Sequence, residues 1–315
     1  MIKESLLAEE EIEKEKGVIA EELRMYRDNP QRYVGDLYER LQFGNQPLGW
    51  DIGGDEKTIN SINRDNFIKY LDSLYSPKNM ALIFAGKLPA NIKKIAESYF
   101  LDLPARAQYK FKPYKQVKQT KPKLNVFYKK TDQVNLILGV EAYDRHSEKR
   151  YAARVLGAIL GEGMSSRLFI QVRERRGLAY HISAGHEPYV DTGAFTVYTG
   201  LKLEKVEEGL EVIIAELERI AGEKVTEDEL KKAKEMIRGR LAIRSESTNF
   251  LAEYAGVEFI LDREIESFDE YLKKIDKTTA EEVQEVAADL FNRDKFNLQV
   301  IGPFKSAVPF ERMLK

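Results

Sequence analysis

The chain has 315 residues, of which 43% are hydrophobic and 32% charged, with a net charge of −2; that length suits about two domains with packed cores. The near-neutral balance gives no general reason to bind nucleic acid or a membrane surface. There is no cysteine, hence no disulfide framework and no thiol site, which fits a reducing compartment, and no apolar run is of bilayer length; the expected location is cytoplasmic.

The first element is a helix in EEEIEKEKGVIAEELRMY, where Ile12, Ile19, Leu23 and Tyr26 recur at helical spacing. Glu15 and Glu22 fall on that same stripe, two turns apart. A carboxylate facing a core is costly unless paired, hydrogen-bonded or bound to a metal. Two readings stay open on spacing alone: acids at the stripe edge that reach water or lysines, or a site.

An internal repeat bears on that choice. VTEDELKKAKEMIRGRLAIR (225–244) matches the segment around Glu15 at a shift of 218, so Ile19 meets Ile237 and Leu23 meets Leu241. DSLYSPKNMALIFAG (72–86) matches ADLFNRDKFNLQVIG (288–302) at a shift of 216. Both copies read as helices, a helix N-capped by Asn63 or Thr279, then a strand. At the positions of Glu15 and Glu22 the second copy has Ala233 and Arg240. The fold therefore does not require the two acids, which favours a site confined to the first half. The second copy has about a hundred residues before its acid-equivalent helix, within domain size. By symmetry, a strand–helix–strand unit is expected to be missing ahead of Met1.

The halves are joined by 104–123, with three prolines, no acid and no helical period among its lysines; a stiff, solvated linker is expected. The expected division is 1–103, the linker 104–123, and 124–315. The second half opens with strands in LNVFYKK and VNLILGVEAY. A helix (SEKRYAARVLGAILG), the turn GEGMSSR and a helix ending at Gly177 follow. LAYHISAG and GAFTVYTG are strands, and a long helix precedes the repeated ones. Hairpin strands with grouped helices predict an α+β fold: two homologous halves, each an antiparallel sheet with helices packed on one side, the first truncated at its N-terminus. On strand alternation, Leu178, Tyr180 and Ile182 share one face, so Tyr180 reads as core. Arg173 reads as a cation near a helix C-terminus. His146, His181 and His186 have no metal-ligand partner at useful spacing.

Several stretches carry a family resemblance: EKEKGVIAEELRM, DNP at Asp28–Pro30, PLG at Pro47–Gly49, YSPKNMALIFAG, GEGMSSRLF and RERRGLAY. They span nearly the whole chain, and they resemble the pitrilysin/insulinase zinc metallopeptidases, the inverzincins, in their mitochondrial-processing-peptidase style. That family's motif is H-x-x-E-H with a downstream glutamate as third zinc ligand. None of the three histidines forms it. The resemblance implies that Glu22 is the third metal ligand and Glu15 the acid supporting it. The motif itself would lie ahead of Met1, where the repeat also expects a gap. The resemblance further implies that Arg173 holds the substrate backbone. Tyr180 would donate to the scissile carbonyl as it becomes an oxyanion.

The implied function is part of a zinc metalloendopeptidase acting on peptides or unfolded polypeptides in a chamber between homologous domains, as a homo- or heterodimer or with the missing segment restored. The alternatives are a non-catalytic partner subunit or a scaffold of the same fold. Keeping Glu15, Glu22, Arg173 and Tyr180 together favours the first; the absent histidines imply inactivity of this chain alone.

Overall fold

The structure, a computed structural model, describes residues 2–104 and 110–314; linker residues 105–109 lie outside the described residues. In chain order it contains α1 (Glu9–Asp28), α2 (Pro30–Phe43), α3 (Glu56–Ser61), α4 (Arg64–Leu74), α5 (Ile92–Phe100), β1 (Lys123–Tyr128), β2 (Gln133–Ala142), α6 (Lys149–Gly161), β3 (Ala179–Pro188), β4 (Gly193–Lys202), α7 (Val206–Gly222), α8 (Glu227–Ser245), α9 (Thr248–Asp262), α10 (Phe268–Lys277), α11 (Ala280–Leu290), β5 (Asn297–Gly302) and α12 (Val308–Leu314). The fold is α+β, and the repeat is visible in it. Shifted by 216, α4 coincides with α11, and the capping residues Asn63 and Thr279 each form a reciprocal capping box.

The chain forms two compact units that cut across the boundary expected at 104–123. Unit 1 is Met1–Arg24, Gly53–Lys112 and Gly239–Glu270; unit 2 is Met25–Ile52, Pro113–Arg238 and Tyr271–Lys315.

Unit 2 is built on a five-stranded sheet in the order β1-β5-β2-β4-β3. β5 pairs parallel with β1 and antiparallel with β2, so the sheet is mixed, not purely antiparallel. The reason is geometric. β1 and β2 run in opposite directions, and any strand inserted between them must be parallel to one of them. Leu136, Leu138 and Val140 of β2, with Leu298 and Val300 of β5, point to one face. There they bury against Leu156, Leu160, Leu210, Ile213, Val283 and Leu290 of α6, α7 and α11. Each such side chain, removed from water, stabilises by about 1.5–3 kcal/mol.

Helices do not occupy that face alone. Val34 and Tyr38 of α2, one turn apart, pack on Ile137 and Ile301 of the opposite face, which corrects the expectation of helices on one side. A Cβ at Gly139 would lie 2.7 Å from Phe195 O and 2.9 Å from Tyr38 Cζ, with the Tyr38 hydroxyl closer still. Glycine at this position is what lets the ring lie on the sheet. The Tyr38 hydroxyl is hydrogen-bonded to Gln42 Oε1. Residues 110–122 carry neither helix nor strand. They are not simply solvated: Tyr114 N–H donates to Asp191 at 2.6 Å, and Lys115 N–H to Gln46 at 2.8 Å.

Unit 1 has little buried apolar surface. Among the described residues, only Ile12, Leu23 and Ile59 of this unit are buried hydrophobics. The segment 80–86, which matches β5 in the repeat, forms no strand, with Leu82 and Phe84 exposed. Its expected strand is absent because a strand exists only by pairing, and no described strand lies beside it. It lies by α9: a Cβ at Gly256 would be 3.4 Å from Ile83.

Candidate functional site

The sequence-based candidates fall in both units. Glu15 and Glu22 lie on α1. Seven residues of helix separate them by about 10 Å along the axis and bring them to one side. Both are exposed, while Ile12 and Leu23 are buried. The carboxylates therefore stand at the edge of the apolar stripe in water and bear no burial cost. Neighbouring acids are paired, Glu11 with Lys14, Glu13 with Lys16 and Glu21 with Arg24. No ion pair is described for Glu15 or Glu22.

Tyr180 is placed by a defect in β3. The register runs Ala179 to Leu201 and then His181 to Gly200, leaving Tyr180 as an extra, bulged residue on the sheet's edge strand. Leu178 and Ile182 are buried at 1% and 8% exposure, while Tyr180 is 55% exposed. Simple alternation would have buried the tyrosine with them. A bulge re-aims a side chain in this way. Tyr180 lines a pocket of about 450 Å³ with Asn29, Pro30, Gln31, Thr131, Asp132, Gln133 and Asn135. Asn29 is there because it N-caps α2, its side chain accepting from Gln31 N–H at 3.1 Å.

Arg173 lies in a π-helical turn, Phe169–Glu174, and the chain turns away at Gly177. That residue has φ 61°, and its N–H bonds Arg173 O at 3.1 Å. The guanidinium is exposed, lies 5.1 Å from the centroid of the Phe169 ring and has no carboxylate partner among the described residues. His181 lies near both candidates. Burial, and then the charge of Arg173, hold its pKa below the usual histidine value, so it is neutral at pH 7. Its ring is tilted over Tyr198, centroids 4.6 Å apart, and its Nε2 is buried without a partner. His146 lies in a loop, its backbone N–H donating to Asp144. His186 Nε2 is 2.8 Å from Tyr143 O, a satisfied structural histidine.

Unit 2 thus brings Tyr180, His181 and Arg173 to one end of the sheet beside a pocket lined by four carboxamides. Sequence reasoning passed over those carboxamides. The available signal was Gln133 and Asn135, two polar residues at alternate positions of an otherwise apolar strand. No group of three or more His, Cys, Asp or Glu side chains that could hold a metal occurs among the described residues. A catalytic zinc takes three protein ligands, and no such set is present among the described residues, so they do not by themselves fit the ion.

A family model described as "Peptidase M16 inactive domain" matches residues 61–237. The chain is 32% identical over 311 residues to an uncharacterized zinc protease of Streptomyces coelicolor, covering 97% of this chain and 68% of the relative. The chain belongs to the peptidase M16 family. To an uncharacterized zinc protease of Bacillus subtilis, YmxG, it is 33% identical over 301 residues, 95% of this chain and 72% of that one. The crystal structure of a peptidase M16 inactive domain from Pseudomonas fluorescens superposes with a TM-score of 0.86 at 21% identity, covering 97% of this chain and 73% of that chain; at that identity the likeness is one of fold. The resemblance to the pitrilysin family read from the motifs therefore holds. No helix of the described residues is long and apolar enough to cross a membrane.

Proposed function

We propose that this M16 chain forms part of a zinc-dependent metalloendopeptidase that hydrolyses peptides or unfolded polypeptides, its metal site completed by residues outside the described structure. The observation that carries this reading is the bulge at Tyr180, which keeps the hydroxyl out of the core and beside a polar pocket. In this reading Glu22 supplies one carboxylate to the metal and Glu15 supports it, while an H-x-x-E-H segment supplies the remaining ligands. When bound, zinc would supply Lewis acidity and an activated water. Arg173 binds and orients the peptide backbone. The Tyr180 hydroxyl donates a hydrogen bond to the carbonyl oxygen as negative charge develops there. A homo- or heterodimer, and a cytoplasmic location suited to a chain without cysteine, belong to the same proposal.

The test joins the chain to an H-x-x-E-H segment from a full-length M16 protease, in cis or as a second chain, and follows bound zinc and cleavage of a quenched fluorescent peptide. Glu22→Gln should lose both. Tyr180→Phe should keep zinc and lower turnover roughly a hundredfold, the usual cost of one oxyanion donor. Arg173→Ala should chiefly raise KM. Full-rate cleavage by zinc-loaded Tyr180→Phe would sink the assignment of the tyrosine; unaltered zinc content in Glu22→Gln would sink that of the metal site.

A second reading, a non-catalytic partner subunit or scaffold, is favoured by one observation, the match of residues 61–237 to a domain described as inactive. Its signature would be a complemented chain that folds and binds peptide without cleaving it.

A further inference from the structure

The pocket beside Tyr180 contains a polar side chain with nothing to bond. Asn135 is 1% exposed, and its Oδ1 has no hydrogen-bond partner. In the sheet Asn135 stands opposite Gly200, and Gly200 opposite His181. The central position of this row has no side chain. A Cβ there would meet His181 Cε1 at 2.5 Å and Gln133 Oε1 at 3.1 Å, so the imidazole and the Gln133 amide lean over the glycine. His181 Nε2 is a second buried atom left unpartnered. Leaving such a group unpaired is costly, and native structures rarely keep one without a ligand, water or strain to account for it.

The lining states what the occupant must be. Asn29, Gln31, Gln133 and Asn135 each carry amide donors and a carbonyl acceptor, Thr131 and Tyr180 carry hydroxyls, and the one charge is the exposed Asp132. An anion would meet Asp132 and a set of carbonyl oxygens with no lining cation. An apolar side chain would leave Asn135 unsatisfied. An uncharged amide has both a donor and an acceptor in the geometry that carboxamides pair with.

We propose that this pocket is a subsite for an uncharged amide group of a bound peptide, supplied by a backbone peptide unit or by an Asn or Gln side chain. The proposal rests on the reading of the chain as a peptide-binding M16 protein, but it needs neither zinc nor turnover.

The experiment titrates the ¹⁵N-labelled full chain, without metal, with N-acetylglutamine methylamide, N-acetylalanine methylamide, sodium acetate and methylammonium chloride. The readout is the side-chain NH₂ signals of Asn135 and Gln133. Asn135→Leu removes one of these signals and so identifies it; Gln133→Leu, at a half-buried position, serves if the first variant fails to fold. The expected result is a saturable shift of both signals with a dissociation constant on the order of 1 mM, typical of a ligand this small. The binding-induced shift of the remaining signal should be lost in either variant. A shift with the glutamine probe alone assigns the side chain as the source; equal shifts with both amides assign the backbone. The proposal is overturned if neither amide moves the signals, if acetate or methylammonium moves them as strongly, or if binding survives both variants unchanged. Amide binding without zinc capture by the complemented chain would leave the pocket standing and remove the peptidase reading; zinc-dependent cleavage without amide binding would do the reverse.

Discussion

Gly139→Ala is the sharpest test of how α2 is seated on the sheet. The added methyl would lie 2.7 Å from Phe195 O and 2.9 Å from Tyr38 Cζ, and closer still to the Tyr38 hydroxyl. The Phe195 oxygen belongs to the β4 backbone and cannot give way, so the cost belongs near the top of the usual overpacking range, about 3 kcal/mol. Tyr38→Phe removes the atom nearest the methyl but leaves Gln42, 3% exposed, without its donor, at about 1.5 kcal/mol. The double variant should then cost about 3–3.5 kcal/mol instead of the additive sum of about 4.5, because the two changes share one contact. Trp50 is the sole tryptophan and belongs to unit 2, so its fluorescence during urea unfolding reports on this unit. With a slope of about 3 kcal/mol per molar, Gly139→Ala should move the midpoint down by about 1 M. A Gly139→Ala chain with an unchanged midpoint, or strict additivity in the double variant, would refute the packing of Tyr38 over Gly139.

Burial, and then the charges of Glu187, Asp36 and Asp51, push the Glu39 carboxyl up to about 7. Its folded pKa exceeds its unfolded one, so the folded state binds the extra proton, and stability should fall as pH rises from about 4.5 to about 7. Glu39→Gln should flatten that part of the stability–pH curve, and an unchanged slope in the variant would count against it. Trypsin should cut first after Lys110, which is exposed and precedes the tethered Tyr114 and Lys115. The resulting fragments should co-elute on size exclusion because α2 of the first is packed on the sheet of the second; fragments that separate without denaturant would contradict that packing. The chain alone should show neither peptidase activity nor micromolar zinc affinity lost on Glu22→Gln, as read by calorimetry.

Much of the fold was legible because it rests on local signals. Alternation in LNVFYKK and VNLILGVEAY gave β1 and β2, and the caps Asn63 and Thr279 marked matched helices of equal length. What escaped the sequence depends on pairing between distant segments. The mixed order of the sheet follows from the insertion of β5 between β1 and β2. The 80–86 segment has the residues of a strand but no neighbour to make it one. At the site, alternation put Tyr180 in the core, and the bulge that overrides it arises from the register between β3 and β4, which no short window contains. The motifs singled out Arg173 and Tyr180, but no motif pointed to Asn135, whose interest comes from being buried and unpaired.

The seat of α2 also constrains the order in which this protein can be made. Gln42 Nε2 reaches Gly193 O across 151 residues of sequence, and Val34 and Tyr38 close on Ile301 of the final strand. During synthesis α2 leaves the ribosome long before β5, with its apolar stripe uncovered until residues 297–302 exist. A nascent chain halted before residue 297 would therefore present Val34 and Tyr38 to solvent and to chaperones. β5 is the last strand in chain order among the described residues, and it completes both the sheet and the seat of the second helix, so native folding of unit 2 waits on the segment 297–302.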